Sequence, residues 1–155
     1  MQLTYHSDYS LRMLIYLTIN SDRLVSTEEI SNAYGISKNH LVRVAQTLNR
    51  HGFINLYAGR KGGIKLARDP KDIIIGDVVR HTEPNFHLVE CFDKENNTCS
   101  IVSVCGLKSM LYQAKEAFLA TLDKYTLADV INFNDQHKLP LYFLSSVTKD
   151  EKTIM

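Results

Sequence analysis

No run of apolar residues in this sequence is long enough to cross a bilayer, and the opening segment MQLTYHSDYS lacks a signal-peptide pattern. The chain is therefore expected in the cytoplasm, where thiols stay reduced, with no membrane partner. Cysteine is scarce: there are three, all between positions 91 and 105. An odd count in a reducing compartment argues against a disulfide framework and toward metal or redox chemistry. Nor is there any acidic residue from Ile30 to Arg68. Residues 1–68 carry nine Lys and Arg against four Asp and Glu, whereas residues 69–155 carry nine against thirteen, so a net charge of +1 hides a basic first half. A long acid-free segment suits a polyanion, because phosphate contacts need unopposed cations. A merely solvated basic face is the plainer alternative. What is present in quantity is apolar: 45% of the 155 residues, enough for a core and for one or two small domains.

The apolar spacing predicts where that core is built. Leu11, Leu14, Ile15 and Leu17 fall on one face of a helix over 8–20, with Ser7 or Asp8 able to cap its first turn. Arg23-Leu24-Val25 reads as a short strand or connector. Ser26 with Glu29 three residues on has the form of a capping box, opening a helix that Gly35 ends. Ser37 then caps a third helix through about His51, whose apolar line is Leu41, Val44, Ala45 and Leu48. Ser37, Lys38, Asn39, His40 and Arg43 lie off that line. A helix, a Gly-containing turn and a second helix place the first turn of the later helix in a major groove. Asn and Arg there match base edges, and Lys reaches phosphate.

Residues 53–57 and 63–67 alternate as two strands around the tip Ala58-Gly59-Arg60-Lys61-Gly62. A basic hairpin directly after such a helix pair is a wing, with Arg60, Lys61 and Gly62 at its DNA-facing tip; an ordinary charged hairpin is the alternative. Asp69-Pro70 marks a break, and Ile75–Thr82 a short helix. Residues 83–105 read as a loop bearing every cysteine, and 106–125 as a long helix. That helix carries Leu107, Leu111, Ala114, Phe118, Leu122 and Tyr125 at three- and four-residue steps, a stripe suited to a dimer mate or to its own domain. A short helix over 127–133 follows, then a tail with the apolar patch Leu139–Leu144.

Cys91, Cys99 and Cys105 can turn soft sulfur donors toward one point. No short C-x2-C pair announces structural zinc, yet spacing alone leaves an iron–sulfur cluster, zinc and reactive thiols all open. A thiol enzyme using His81 or His87 is disfavoured, because nothing supplies an orienting group or an oxyanion hole.

The segments DYSLRMLIYL, GISKNHLVRVAQTLNRHGFI, GRKGGIKLARDP and IGDVVRHTEP, the three cysteines and the closing YTLADV occur in this order. Together they resemble the winged-helix iron–sulfur transcription regulators over about residues 1–131. The resemblance implies a mainly α fold with a small β wing, in three parts. These are a winged helix-turn-helix DNA-binding domain over 1–68, a cluster-binding loop and dimerisation helix over 69–131, and a tail over 132–155. It implies a homodimer, joined through the helix around 106–125, that binds double-stranded operator DNA and is not an enzyme. Cys91, Cys99 and Cys105 would ligate an iron–sulfur cluster, [4Fe–4S] ahead of [2Fe–2S].

Members that sense cluster supply have a histidine shortly after the third cysteine, whereas here Gly106-Leu107-Lys108 follow Cys105. The chain is more similar to the nitric-oxide-sensing repressors, which implies Asp8, from the other subunit, as the fourth ligand. The expected function is repression of nitric oxide detoxification genes, relieved by nitric oxide. An iron-responsive or cluster-status regulator of the same family is the alternative.

Overall fold

The computed structural model describes residues 2–132. Helix α1 spans Tyr5–Ile19 and begins a turn earlier than the apolar spacing indicates, because Thr4 rather than Ser7 or Asp8 is its N-cap. The Thr4 hydroxyl accepts from the Ser7 N–H at 3.3 Å, and Ser7 and Ser10 are buried within the helix. Helix α2, Thr27–Tyr34, follows the expected signals. Ser26 accepts from the Glu29 N–H at 3.1 Å, and Gly35 closes it at φ 66°, where a side chain would be strained. Helix α3 is Lys38–Arg50; Ser37 holds its N-cap position but its side chain makes no capping hydrogen bond.

Strands β1 (Ile54–Tyr57) and β2 (Gly63–Leu66) pair antiparallel, Ile54 opposite Leu66 and Tyr57 opposite Gly63. Val25 adds a two-way bridge to Ile64, at 3.0 and 2.8 Å, so the connector before α2 acts as a third short strand. At the tip, a Cβ on Gly62 would come within 2.1 Å of the Tyr57 carbonyl oxygen, so the turn closes only around glycine.

Beyond the wing, Pro70–Asp72 makes a 3₁₀ turn whose first N–H groups include one capped by Asp69, 2.9 Å from the Lys71 nitrogen. Helix α4 is Ile75–Thr82, as the sequence predicts. After the cysteine segment come α5, Gly106–Leu122, and α6, Leu127–Asn132. The chain between these last helices returns to the start of α4, where the Ile75 N–H donates to Tyr125 at 2.9 Å and the Leu127 N–H to Ile73 at 2.8 Å.

One apolar cluster joins Met13, Leu14, Leu17, Ile30, Leu41, Val44, Leu48, Phe53, Ile54, Ile64, Ile73, Val78 and Leu127. Each such side chain contributes about 1.5–3 kcal/mol on burial. This core crosses position 68, taking residues from both sides of the expected domain boundary. In α5, by contrast, only Leu119 is buried; Leu107 and Met110 are 60% and 66% exposed, as is Val104 just before the helix at 83%. On the apolar stripe Leu107, Ala114 and Tyr125 are exposed while Leu111, Phe118 and Leu122 are half-buried, so the described part of the chain covers it only in part. No described helix is long and apolar enough to cross a membrane. The Leu139–Leu144 patch lies outside the described residues.

Candidate functional site

Two groups of residues carry chemistry, and α1 and α4 stand between them. The first is the outer face of α3 with the wing tip. Because Leu41, Val44, Ala45 and Leu48 point into the core, the helical period leaves Lys38, Asn39, His40 and Arg43 exposed with Ser37. Among the described residues, Asn39 and Arg43 make no side-chain hydrogen bond or ion pair, so their donors remain available. Lys38 is instead paired with Glu28, Nζ to carboxylate 2.7 Å. A pair this exposed is screened by solvent and leaves the ammonium accessible. The His40 ring lies 6.1 Å from that of Tyr9, which in turn stacks on Tyr5 at 5.7 Å. Arg60 and Lys61 stand exposed at the wing tip beside Gly62.

Arg68 ends the acid-free segment but, though exposed, is folded back over the end of α3. Its guanidinium donates to the Gly52 and His51 carbonyls at 2.9 and 3.0 Å and lies 5.0 Å over the Phe53 ring. A cation is thereby set on the carbonyl-rich C-terminus of α3, where the helix dipole favours it. The same contacts fix the wing's base to the end of α3.

The second group is the segment between α4 and α5. Cys91, Cys99 and Cys105 are free thiols, each half-buried. Cys91 sits in a 3₁₀ turn, Glu90–Phe92. That turn is held on α5 by Phe92, 6.2 Å from the Tyr112 ring and 6.0 Å from Lys115 Nζ, which itself caps Tyr112 at 4.1 Å. The Glu90 carboxylate accepts from both the N–H and the hydroxyl of Thr98, the latter at 2.7 Å. The residues preceding Cys91 and Cys99 are therefore tied together, and these bonds hold the Glu90 carboxyl below the usual carboxylate range. Asp93 organises the turn between, accepting from the Glu95 N–H at 3.0 Å and the Asn96 side chain at 2.8 Å. Cys105 is the N-cap residue of α5, beside the partial positive charge of a helix N-terminus. Among the described residues, no three His, Cys, Asp or Glu side chains are grouped so as to hold a metal ion. The three thiols share a segment, and Asp8 is not gathered with them in one protomer.

Asp8 lies in the first turn of α1, paired along the helix with Arg12 at 3.0 and 2.7 Å. That bond raises the Arg12 guanidinium above its ordinary value. Arg12 also lies 5.9 Å over both the Tyr9 and Tyr34 rings, while the Tyr34 hydroxyl, pushed up to about 12 mainly by burial, donates to the Arg12 carbonyl at 3.1 Å. Three further groups give no sign in the periodicity. Glu83 accepts from the Thr4 N–H at 2.7 Å and its hydroxyl at 3.0 Å. Arg80 grips Asp123 in a two-bonded pair at 2.6 and 2.7 Å. His81 lies with its ring 4.5 Å from that of His51. All are long-range contacts, and only the segment IGDVVRHTEP, as a motif, pointed to them.

Comparison with known proteins places these features. Residues 3–133 match the Rrf2 family, described as iron-dependent transcriptional regulators. The HTH-type transcriptional regulator NsrR of Bacillus licheniformis is 49% identical over 138 residues, covering 88% of this chain and 96% of that protein. Its counterpart in Bacillus subtilis is 50% identical over 141 residues, covering 90% and 97%. Among solved structures, T. potens IscR is similar with a TM-score of 0.70 at 23% identity, over 88% of this chain and 90% of that one. CymR, the global cysteine regulator of B. subtilis, gives 0.69 at 23% identity, over 87% and 99%. At that identity the structural likeness speaks for the winged-helix fold alone.

Proposed function

The chain belongs to the Rrf2 family of iron-dependent transcriptional regulators, and from that premise we propose that it is a nitric-oxide-sensing repressor. In this reading an iron–sulfur-loaded homodimer holds operator DNA and releases it when nitric oxide arrives, derepressing nitric oxide detoxification genes. The observation that carries it is the placement of all three thiols on the one segment that joins α4, packed into the core, to the partly exposed helix α5. The donors fit the group: three free thiols are soft ligands in the number that leaves one iron of a [4Fe–4S] cluster, or one place on a [2Fe–2S] cluster, to a different donor. When bound, the cluster supplies iron, for which nitric oxide has high affinity.

Each residue then has a part. Cys91, Cys99 and Cys105 would hold the cluster, and Asp8 of the other subunit would offer a harder, weaker oxygen. The exposed pairing of Asp8 with Arg12 is worth about 0.3–0.5 kcal/mol, so it competes only weakly for that carboxylate. Asn39 and Arg43 read base edges in the major groove, Lys38, His40 and Ser37 position α3 on the backbone, and Arg60, Lys61 and Gly62 bring the wing to a neighbouring groove. The partly exposed stripe on α5 supplies the dimer contact, which sets the separation of the two α3 helices. Were Asp8 to leave such a group, α1, the helix on which α3 packs, would be free to shift, and with it the spacing that a palindromic operator demands.

The test is an anaerobic absorption spectrum and native mass spectrum of the full chain, before and after stoichiometric nitric oxide. A coloured, iron- and sulfide-bearing dimer that changes with nitric oxide is expected. Colourless, iron-free protein that binds its operator at full strength contradicts the reading. The iron-responsive alternative predicts release on iron chelation with indifference to nitric oxide.

A further inference from the structure

The last turn of α4 sits immediately before the cysteine segment, which Pro84 opens. Three of its residues leave in three directions. Arg80 clamps Asp123, the C-cap of α5, at 2.6 and 2.7 Å. No side chain fits at Gly76 without displacing that pair, since a Cβ there would stand 1.9 Å from the Asp123 carboxylate. His81 reaches the DNA-reading side. Its Nδ1–H donates to the Asp77 carbonyl at 2.7 Å, which fixes the ring. The ring lies 4.5 Å from that of His51, the C-cap of α3, and 5.8 Å edge-on to Phe53, the residue before β1. Glu83, the C-cap of α4, accepts both donors of Thr4, the N-cap of α1, at 2.7 and 3.0 Å across 79 residues of chain.

One helical turn thus touches the end of the recognition helix, the root of the wing, the start of the Asp8 helix and the end of α5. Thr82, between these residues, is buried and bonded to Val78 at 2.8 Å. The turn is therefore packed into its own helix as well as against its neighbours. Well-packed contacts of this kind are displaced together.

We propose that the C-terminal turn of α4 is the hub through which the state of the cysteine segment reaches the DNA-contacting elements, with His81 and Glu83 as its positioning residues. His81 transmits to α3 and the wing, and Glu83 to α1. The signal is that of the proposed cluster-sensing function and rests on it, whereas the contacts do not.

The direct test uses the full-length, cluster-free chain. Its thiols are alkylated with iodoacetamide to perturb the segment, and hydrogen exchange is compared before and after. In the parent protein, alkylation is expected to change exchange at 4–8 and at 48–54. In Glu83→Ala the change at 4–8 is lost and that at 48–54 kept, and in His81→Ala the converse. Glu83→Gln and His81→Phe, which keep an acceptor and a ring, restore transmission and guard against misfolding of the alanine variants.

A second reading is the ratio of operator affinities of cluster-loaded and cluster-free protein, which each alanine variant should reduce by roughly two- to thirtyfold. A parent ratio of one sinks the sensing function and leaves the exchange experiment to decide the hub. If alkylation never reaches 4–8 or 48–54 in the parent, or reaches both unchanged in the variants, the hub is overturned. It is equally overturned by a parent ratio well above one that the variants leave intact.

Discussion

Arg68 and Arg43 carry the same charge and belong to the same acid-free segment, yet the structure pairs the first and leaves the second exposed. Arg68 spends its guanidinium on two terminal carbonyls of α3 and on the Phe53 ring. Arg68→Ala should lower unfolding stability by about 1 kcal/mol, read by urea titration, with little change in the salt dependence of operator binding. Arg43→Ala and Asn39→Ala should instead leave stability alone and cost roughly 1–3 kcal/mol of specific affinity, while Lys61→Ala mainly lowers the salt slope by about one. Operator affinity indifferent to all three changes would remove the assignments to α3 and the wing. Asp8→Ala leaves Arg12 between the Tyr9 and Tyr34 rings and should give a protein that still folds but loses its cluster faster in air. An unaltered spectrum and nitric oxide response would exclude Asp8 as a ligand.

At the scale of elements, α3 is held by its buried line, and Leu48→Ala should cost about 2–5 kcal/mol, measurable as a fall in the unfolding midpoint. Gly62→Ala should be disruptive at the wing alone, because the new methyl meets the Tyr57 carbonyl. Operator affinity should then fall while the α3 amides stay protected from exchange. These elements were legible in the sequence because their signals are local. Ser26 with Glu29, Gly35, the four apolar positions of α3 and the glycine-flanked hairpin each declare themselves within a few residues. The start of α1 was not, since Thr4 is completed by Glu83 from far along the chain. The 106–125 helix stops at Leu122, followed by the Arg80-bound Asp123, again a distant partner. Within the cysteine segment the order comes from Glu90 on Thr98 and from Phe92 on Tyr112 and Lys115, pairings without any period. The role of Asp8 was suggested only by family resemblance, and its neighbour Arg12 became visible only in three dimensions.

At the scale of the whole molecule, ion pairs such as Arg80–Asp123 add to the shared core in joining elements distant in sequence. The Glu29 carboxyl is held below the ordinary range chiefly by hydrogen bonds from Arg23, and Asp123 likewise by Arg80. A carboxyl depressed on folding binds fewer protons than in the unfolded chain. Its contribution is therefore complete above the unfolded value of about 4 and fades as pH falls through the folded one. Thermal unfolding should show the midpoint dropping on acidification below about pH 4, and Glu29→Gln should flatten that dependence; an identical pH profile in the variant would contradict it. The Arg80–Asp123 pair joins α4 to the end of α5, on either side of the cysteine segment, and under the proposed function this is part of the frame through which an event at sulfur would reach DNA.

The most direct measurement is an anaerobic operator-binding titration of the purified dimer, followed as nitric oxide is added while the visible spectrum is recorded on the same sample. Tight binding by the coloured protein, lost in step with the change in colour, is the predicted result. Binding that persists undiminished after the spectrum has changed, or that is equally tight in iron-free protein, would contradict it.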